Sequence, residues 1–265
     1  MLSSRQKKQA IIGLVYLLIF TAIGFLIYFG LKPKATCFDG IQNQEELGID
    51  CGGPCPPCLP KVADPIITNQ QLINEGNGLY EFVAKIKNQS QIYGNPKIDY
   101  QINFYNSSGQ IIQSIPQTTF ILPGEEKYIV KAAIKLNPQE KITQAKAKIT
   151  HIDTWQKLND ALFPDLVVKD KKIKIIGQPT KYAEVSGTII SRAKVGYQRV
   201  SINIILIGND GRITRVNQTE MRTLMPEQER GFSIFWSKPF INQNFRLIIE
   251  PTANPFNQNN ILIKK

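Results

Sequence analysis

Histidine is all but missing from this chain: a single one, His151, in 265 residues. One imidazole excludes the two-histidine H-E-x-x-H metal helix, and no G-x-S-x-G elbow or glycine-rich phosphate loop is present. His151 lies in an alternating segment, residues 147–153, where a lone histidine reads as structural or exposed. No pair of carboxylates stands out for acid–base work. No basic run is interleaved with aromatics, so nucleic acid is not an expected partner. These absences point away from an enzyme and give no catalytic residue. Cysteine is absent from the 207 residues after Cys58; all four lie between Cys37 and Cys58.

Against these gaps stands one long apolar run. Ala10–Leu31 are 22 consecutive uncharged residues, rich in Ile, Leu, Phe, Val and Tyr. As a helix they reach roughly 33 Å, enough to cross the hydrocarbon core. Arg5, Lys7 and Lys8 precede the run, and Lys32 and Lys34 follow, so charge alone only leans toward a cytoplasmic N-terminus. A cleaved signal is the rival reading. Its apolar region is shorter, about 7–15 residues, and Leu31–Thr36 offers no small-x-small site. The expectation is an uncleaved single-pass anchor over 10–31, with residues 1–9 cytoplasmic and the remainder outside. Without residues 1–34 the chain carries 27 basic and 21 acidic residues, a net charge of +6. That balance suits a solvated surface and permits attraction to anionic polymers or headgroups.

The cysteines follow the spacing C-x13-C-x3-C-x2-C over residues 32–62. Four thiols at such spacing can form two disulfides, a tetrahedral zinc site, or a redox pair at Cys55-Pro-Pro-Cys58. An exported segment favours disulfides among Cys37, Cys51, Cys55 and Cys58, with three pairings open. Asp39, Asn43, Glu46 and Asp50, beside Gly40 and Gly48, are candidate calcium ligands, because hard cations take oxygens on a turning backbone. The alternative, favoured here, is that Asp, Asn and Gly simply shape the turns of a tight knot. No other cofactor is expected.

The segment resembles the motif C-x-D-G-x-x-N-x-x-E-x-G-x-D-C-G-G-x-C-x-x-C of exported and surface-attached microbial proteins. Cys37, Asp39, Gly40, Asn43, Glu46, Gly48, Asp50, Cys51, Gly52, Gly53, Cys55 and Cys58 all match. The resemblance implies a small module or spacer beside adhesion-like domains, without catalytic activity.

After Pro60, short alternating segments are separated by Gly, Pro and Asn. Tyr80, Phe82, Ala84 and Ile86 form one apolar face, as do Ile98, Tyr100, Ile102 and Phe104, and Tyr128, Val130, Ala132 and Ile134. Turn signals about every 8–12 residues predict a β-sandwich. Shifted by about 102 residues, the region aligns with itself. Tyr80–Asn88 then meets Tyr182–Ile190, Gly94 meets Gly196, and the turn Asn106–Gly109 meets Gly208–Gly211. The prediction is a mainly β chain with two tandem antiparallel, immunoglobulin-like sandwiches, at 63–158 and 159–265. The first copy resembles the FxLYD family and related late-embryogenesis-abundant-type sandwiches, through Phe104-Tyr105-Asn106-Ser107-Ser108-Gly109 and Ile121-Leu122-Pro123-Gly124-Glu125. Asn106 replaces the family's Asp, and the second copy keeps less of the pattern. This resemblance implies extracytoplasmic domains without known catalytic residues.

The apolar connector Thr154–Asp165 can either pack between the domains or belong to the first. Sequons begin at Asn88, Asn106 and Asn217. Together these features predict a membrane-anchored binding or adhesion protein, whose partner is a protein or surface polymer met through the β domains. A structural accessory of an envelope assembly, such as a pilus or secretion apparatus, is the alternative, and an enzyme a distant third.

Overall fold

The computed structural model describes residues 4–31, 36–58, 61–178, 180–239 and 245–263. Lys32 and Lys34, which flank the apolar run, lie outside the described residues, as do positions 1–3 of the N-terminal tail and the boundary at 59–60. The chain divides into two compact units, 1–59 and 60–265.

The first unit begins with α1 (Ser4–Leu31), a helix of 28 residues. It starts six residues before the apolar run, because Arg, Gln, Lys and Ala are good helix formers and extend the backbone ladder without needing an apolar face. Its window Ile11–Tyr28 is long and apolar enough to cross a membrane, a property shared with signal sequences, and none of it is buried. Apolar side chains surround the axis, so no stripe marks a soluble packing face. Residues 36–58 follow as a run of turns with one isolated bridge, Gly48 to Cys51.

The second unit is built from β1 (Ile66–Gly76), β2 (Leu79–Lys87), β3 (Tyr93–Asn106), β4 (Ile111–Ile121), β5 (Glu126–Lys135), β6 (Ile142–Ile152), β7 (Gln156–Lys157), β8 (Leu166–Gln178), β9 (Lys181–Ser191), β10 (Gly196–Gly208), β11 (Ile213–Leu224), β12 (Glu229–Trp236), β13 (Phe245–Thr252) and β14 (Ile261–Leu262). Sheets ordered β1-β2-β5 and β4-β3-β6 face one another over the first half. Sheets ordered β12-β9-β8 and β11-β10-β13 do so over the second. The strand orders correspond element for element, down to the two-residue strands β7 and β14, which pair with the first residues of β3 and β10. Every pairing is antiparallel. Both β1 and β8 carry a bulge at matching positions, with Asn69 and Asp170 each at φ 51°. Asn and Asp tolerate that left-handed backbone better than other residues with a Cβ.

Alternation accounts for the two main cores. Phe82 and Ile86 of β2 meet Ile98, Ile102 and Phe104 of β3 in the first. Val185 and Ile189 of β9 meet Val200, Ile202, Ile204 and Leu206 of β10 in the second. A third apolar cluster joins the halves: Val83, Val130, Ile205, Ile207 and Val216. It exists because β2 and β10 are buried on both faces, a condition that favours a near-continuous apolar run over strict alternation. The connector divides its contacts. Trp155 packs on the first core, and the Leu162 carbonyl accepts from the Tyr197 hydroxyl of the second half. The C-terminal segment also bridges, as Asn254 Nδ2 donates to the Pro96 carbonyl at 3.0 Å. Phe256 lies over Gly94, where a Cβ would come within 2.5 Å of its ring, so only glycine fits there.

Candidate functional site

In the cysteine module both bonds are disulfides, Cys37–Cys55 and Cys51–Cys58, spanning 18 and 7 residues in interleaved order. All four sulfurs are used. The module has almost no apolar interior: Phe38, Ile41, Leu47 and Ile49 are exposed. Segments this short need covalent closure in place of a core.

The four calcium candidates are placed as turn-formers. Asp50 Oδ1 accepts the Asp39 N–H at 2.9 Å, and its carboxylate also takes the Gly40 N–H. Asp39 accepts from Ile41 N, Thr36 N and Asn43 Nδ2. These partners, chiefly the Asn43 amide and the neighbouring N–H groups, hold the Asp39 carboxyl below its usual value. Glu46 is buried; its Oε2 accepts from Asn43 N and Asp50 N, while Oε1 touches Cys55 Sγ at 3.0 Å. That last contact is not a hydrogen bond, since a disulfide sulfur has no proton to give. Asp39, Asp50 and Glu46 Oε2 thus accept from the chain's own N–H groups, whereas Glu46 Oε1 takes none. Asn43 Oδ1 is buried without a partner. Among the described residues, only Cys37, Glu46 and Cys55 bring three ligand-type atoms within 4.8 Å of one another, and two of those are disulfide sulfurs.

The densest polar chemistry lies where the two halves of the β unit meet. Glu81, 2% exposed near the start of β2, accepts from Arg215 Nε at 3.2 Å, Arg215 Nη2 at 3.0 Å and the Val216 N–H at 2.7 Å. Trp236 Nε1 donates to the same carboxylate at 3.3 Å. Arg215 Nη2 also meets Glu75 at 2.7 Å, and the Lys238 ammonium donates to the Glu75 and Gly76 carbonyls. Burial pushes the Glu81 carboxyl up to about 7, while Arg215 and the Val216 N–H pull it down. This cluster locks β2 to β11 and β12.

A second contact caps the free edge of β5. Tyr128 N donates to Glu250 at 2.9 Å, and Tyr128 O accepts from Asn203 Nδ2 at 3.0 Å. Side chains of the second half thus satisfy backbone groups that an open strand edge would expose. Next to them Lys127 is buried, its ammonium 3.3 Å from the Phe120 ring centre and 3.5 Å from Glu125, without a hydrogen-bond partner. Burial lowers its pKa, against the upward pull of Glu125 and Glu250.

Residues singled out by sequence fall in plainer places. His151 is exposed on β6, opposite Asp99. The sequon residue Asn88 is fully buried, its Nδ2 donating to the Tyr93 and Leu122 carbonyls, so the folded chain closes that position to a glycan. Glu81 and Arg215 went unread, although an acid inside the apolar run Leu79–Ile86 is a signal that such a strand is buried against a countercharge. No family model matches this chain, and no curated protein matches it.

Proposed function

We propose that this is a single-pass membrane protein whose N-terminus is cytoplasmic, and whose disulfide module and β unit lie outside and work by binding another macromolecule. The observation that carries the reading is the succession of two features. An apolar helix without a soluble packing face is followed, within six residues, by a module that disulfides hold together. Disulfides persist on the oxidising side of a membrane, which favours this orientation over its reverse. In this reading the module is a compact collar beside the membrane and the β unit is the part that meets a partner. The fused halves support a binding role by giving a rigid surface, with loops and strand edges fixed relative to one another. The partner is a protein or a surface polymer. The resemblances to surface-protein cysteine modules and to FxLYD-like sandwiches support the same role.

The test is an anchor swap. Full-length protein in lipid nanodiscs is incubated with envelope fractions, beside a version carrying an unrelated single-pass helix in place of α1. Saturable capture by both is expected. Capture that depends on the native helix contradicts the reading and favours assembly into an envelope machine through α1.

A further inference from the structure

A cleft of about 480 Å³ opens at the junction of the halves, lined by β1, β2 and β5 on one side and by the β10–β11 turn and β13 on the other. We infer that it binds a carboxylate-bearing sugar unit of an anionic polymer, with Arg246 and Arg212 holding the acid group. This inference rests on the binding reading above and names the ligand class.

Three cations reach the cleft from three elements: Lys85, Arg212 and Arg246. They are not equally free. Lys85 is paired with Glu126 at 2.6 Å. Arg212 has only Asp210, at 3.9 Å, with both side chains mostly exposed. Arg246 is exposed and makes no ion pair with any described residue. Two guanidinium groups are thus open to a ligand, and their planar forks match a carboxylate in two-point contact. Tyr128 adds a half-buried aromatic wall; the Lys85 ammonium lies 5.2 Å from its ring centre, so a sugar ring would pack against the ring beside that cation. Asn69 and Gln70 line the other side; Gln70 gives its carbonyl oxygen to Ala147 N, which leaves its NH₂ for hydroxyls. Cations, one aromatic and amides suit an acidic saccharide better than a purely apolar or a purely ionic ligand.

Size and field agree with this. The cleft lies within the range of about 300–1,000 Å³ typical of small-ligand sites, which favour domain junctions. Residues 61–265 carry 27 basic and 17 acidic residues, a net charge of +10, so the field attracts polyanions. The apolar cluster and the Glu81–Arg215 contact fix the two walls, so the site is preformed.

The test is calorimetric titration of the full chain in nanodiscs with oligogalacturonate, a neutral dextran oligomer of equal length, and inorganic phosphate. Oligogalacturonate is expected to bind, more weakly as salt rises, while dextran does not. R246Q and R212Q should each lower that affinity about tenfold or more with thermal unfolding unchanged, and K174Q, on β8 away from the cleft, should leave it intact. Absence of oligogalacturonate binding overturns the assignment. So does wild-type affinity in R246Q, or phosphate binding as tight as the uronate, which would mark simple charge attraction. A protein that still captures envelope material but ignores oligogalacturonate removes this assignment alone. Loss of both removes the binding reading as well.

Discussion

Truncating Arg215 should do more damage than any other single change in the β unit, and the damage should depend on pH. In Arg215→Ala, Glu81 keeps the Val216 and Trp236 donors but loses two hydrogen bonds and its countercharge, and Glu75 loses its partner. Breaking a buried pair by removing one member costs about 3–5 kcal/mol, because the other charge stays buried and uncompensated. For a unit of this size that is a fall of about 6–20 °C in Tm. Burial already lifts the Glu81 carboxyl to about 7, and Arg215 is what restrains it. A carboxyl whose folded pKa lies above its unfolded value favours folding at low pH, and that advantage is lost as pH rises through the folded pKa. Removing Arg215 raises that pKa further, so the variant's deficit should be largest at pH 8 and shrink toward pH 5, where Glu81 is protonated and neutral. Urea unfolding followed by tryptophan fluorescence reads this directly, since Trp236 touches Glu81. An E75Q/E81Q/R215L variant, which leaves no lone buried charge and keeps an amide oxygen for the Val216 and Trp236 donors, should recover most of the loss. A deficit under about 1 kcal/mol, or one equal at pH 5 and pH 8, would refute the reasoning.

Three further outcomes are expected. Lys127→Met should stabilise the β unit by about 1 kcal/mol, since relief of a buried ammonium without a hydrogen-bond partner outweighs the ring contact, the loose Glu125 ion pair and the attraction of Glu250 that are given up. Burial depresses the folded pKa of Lys127, so the wild type should gain stability as pH rises toward 10.5 and the variant should lack this gain; urea midpoints measured at rising pH decide it. Reducing the disulfides should unfold the cysteine module, where each closure is worth about 2.5–3 kcal/mol by loop entropy. The β unit contains no cysteine and should keep its melting temperature, as scanning calorimetry with and without reductant will show. Asn88→Ala strands the Tyr93 and Leu122 carbonyls inside the first half and should destabilise it by about 2–3 kcal/mol in chemical denaturation.

Much of the architecture was legible in the sequence because it rests on local pattern. The 22-residue apolar run sets α1, and the period-2 alternation of Ile98 to Phe104 sets β3 and its inward face. The glycines of Asn106–Gly109 and Gly208–Gly211 mark hairpins whose last residue takes positive φ. Disulfide pairing was not legible, since spacing alone allows three arrangements. The junction was hidden for a different reason. Its cluster brings Glu81 to Arg215 across 134 residues, and no local period encodes a contact at that separation. The sequence did carry a trace of it in the doubly apolar strands β2 and β10, which alternation alone leaves without a second partner. The acidic residues of the cysteine module show the opposite case. Their types and spacing suit either a cation or tight turns, and the backbone places most of their oxygens on the Asp39, Gly40, Ile41, Asn43 and Asp50 N–H groups.

The most direct test of the account is the orientation of the full chain in intact cells, with an epitope at each terminus. External protease should remove the C-terminal epitope and spare the N-terminal one, while the chain stays with the membrane through an alkaline wash. A membrane-impermeant maleimide should label Cys37, Cys51, Cys55 and Cys58 only after reduction. An exposed N-terminal epitope, release of the chain from the membrane, or labelling without reductant would contradict it.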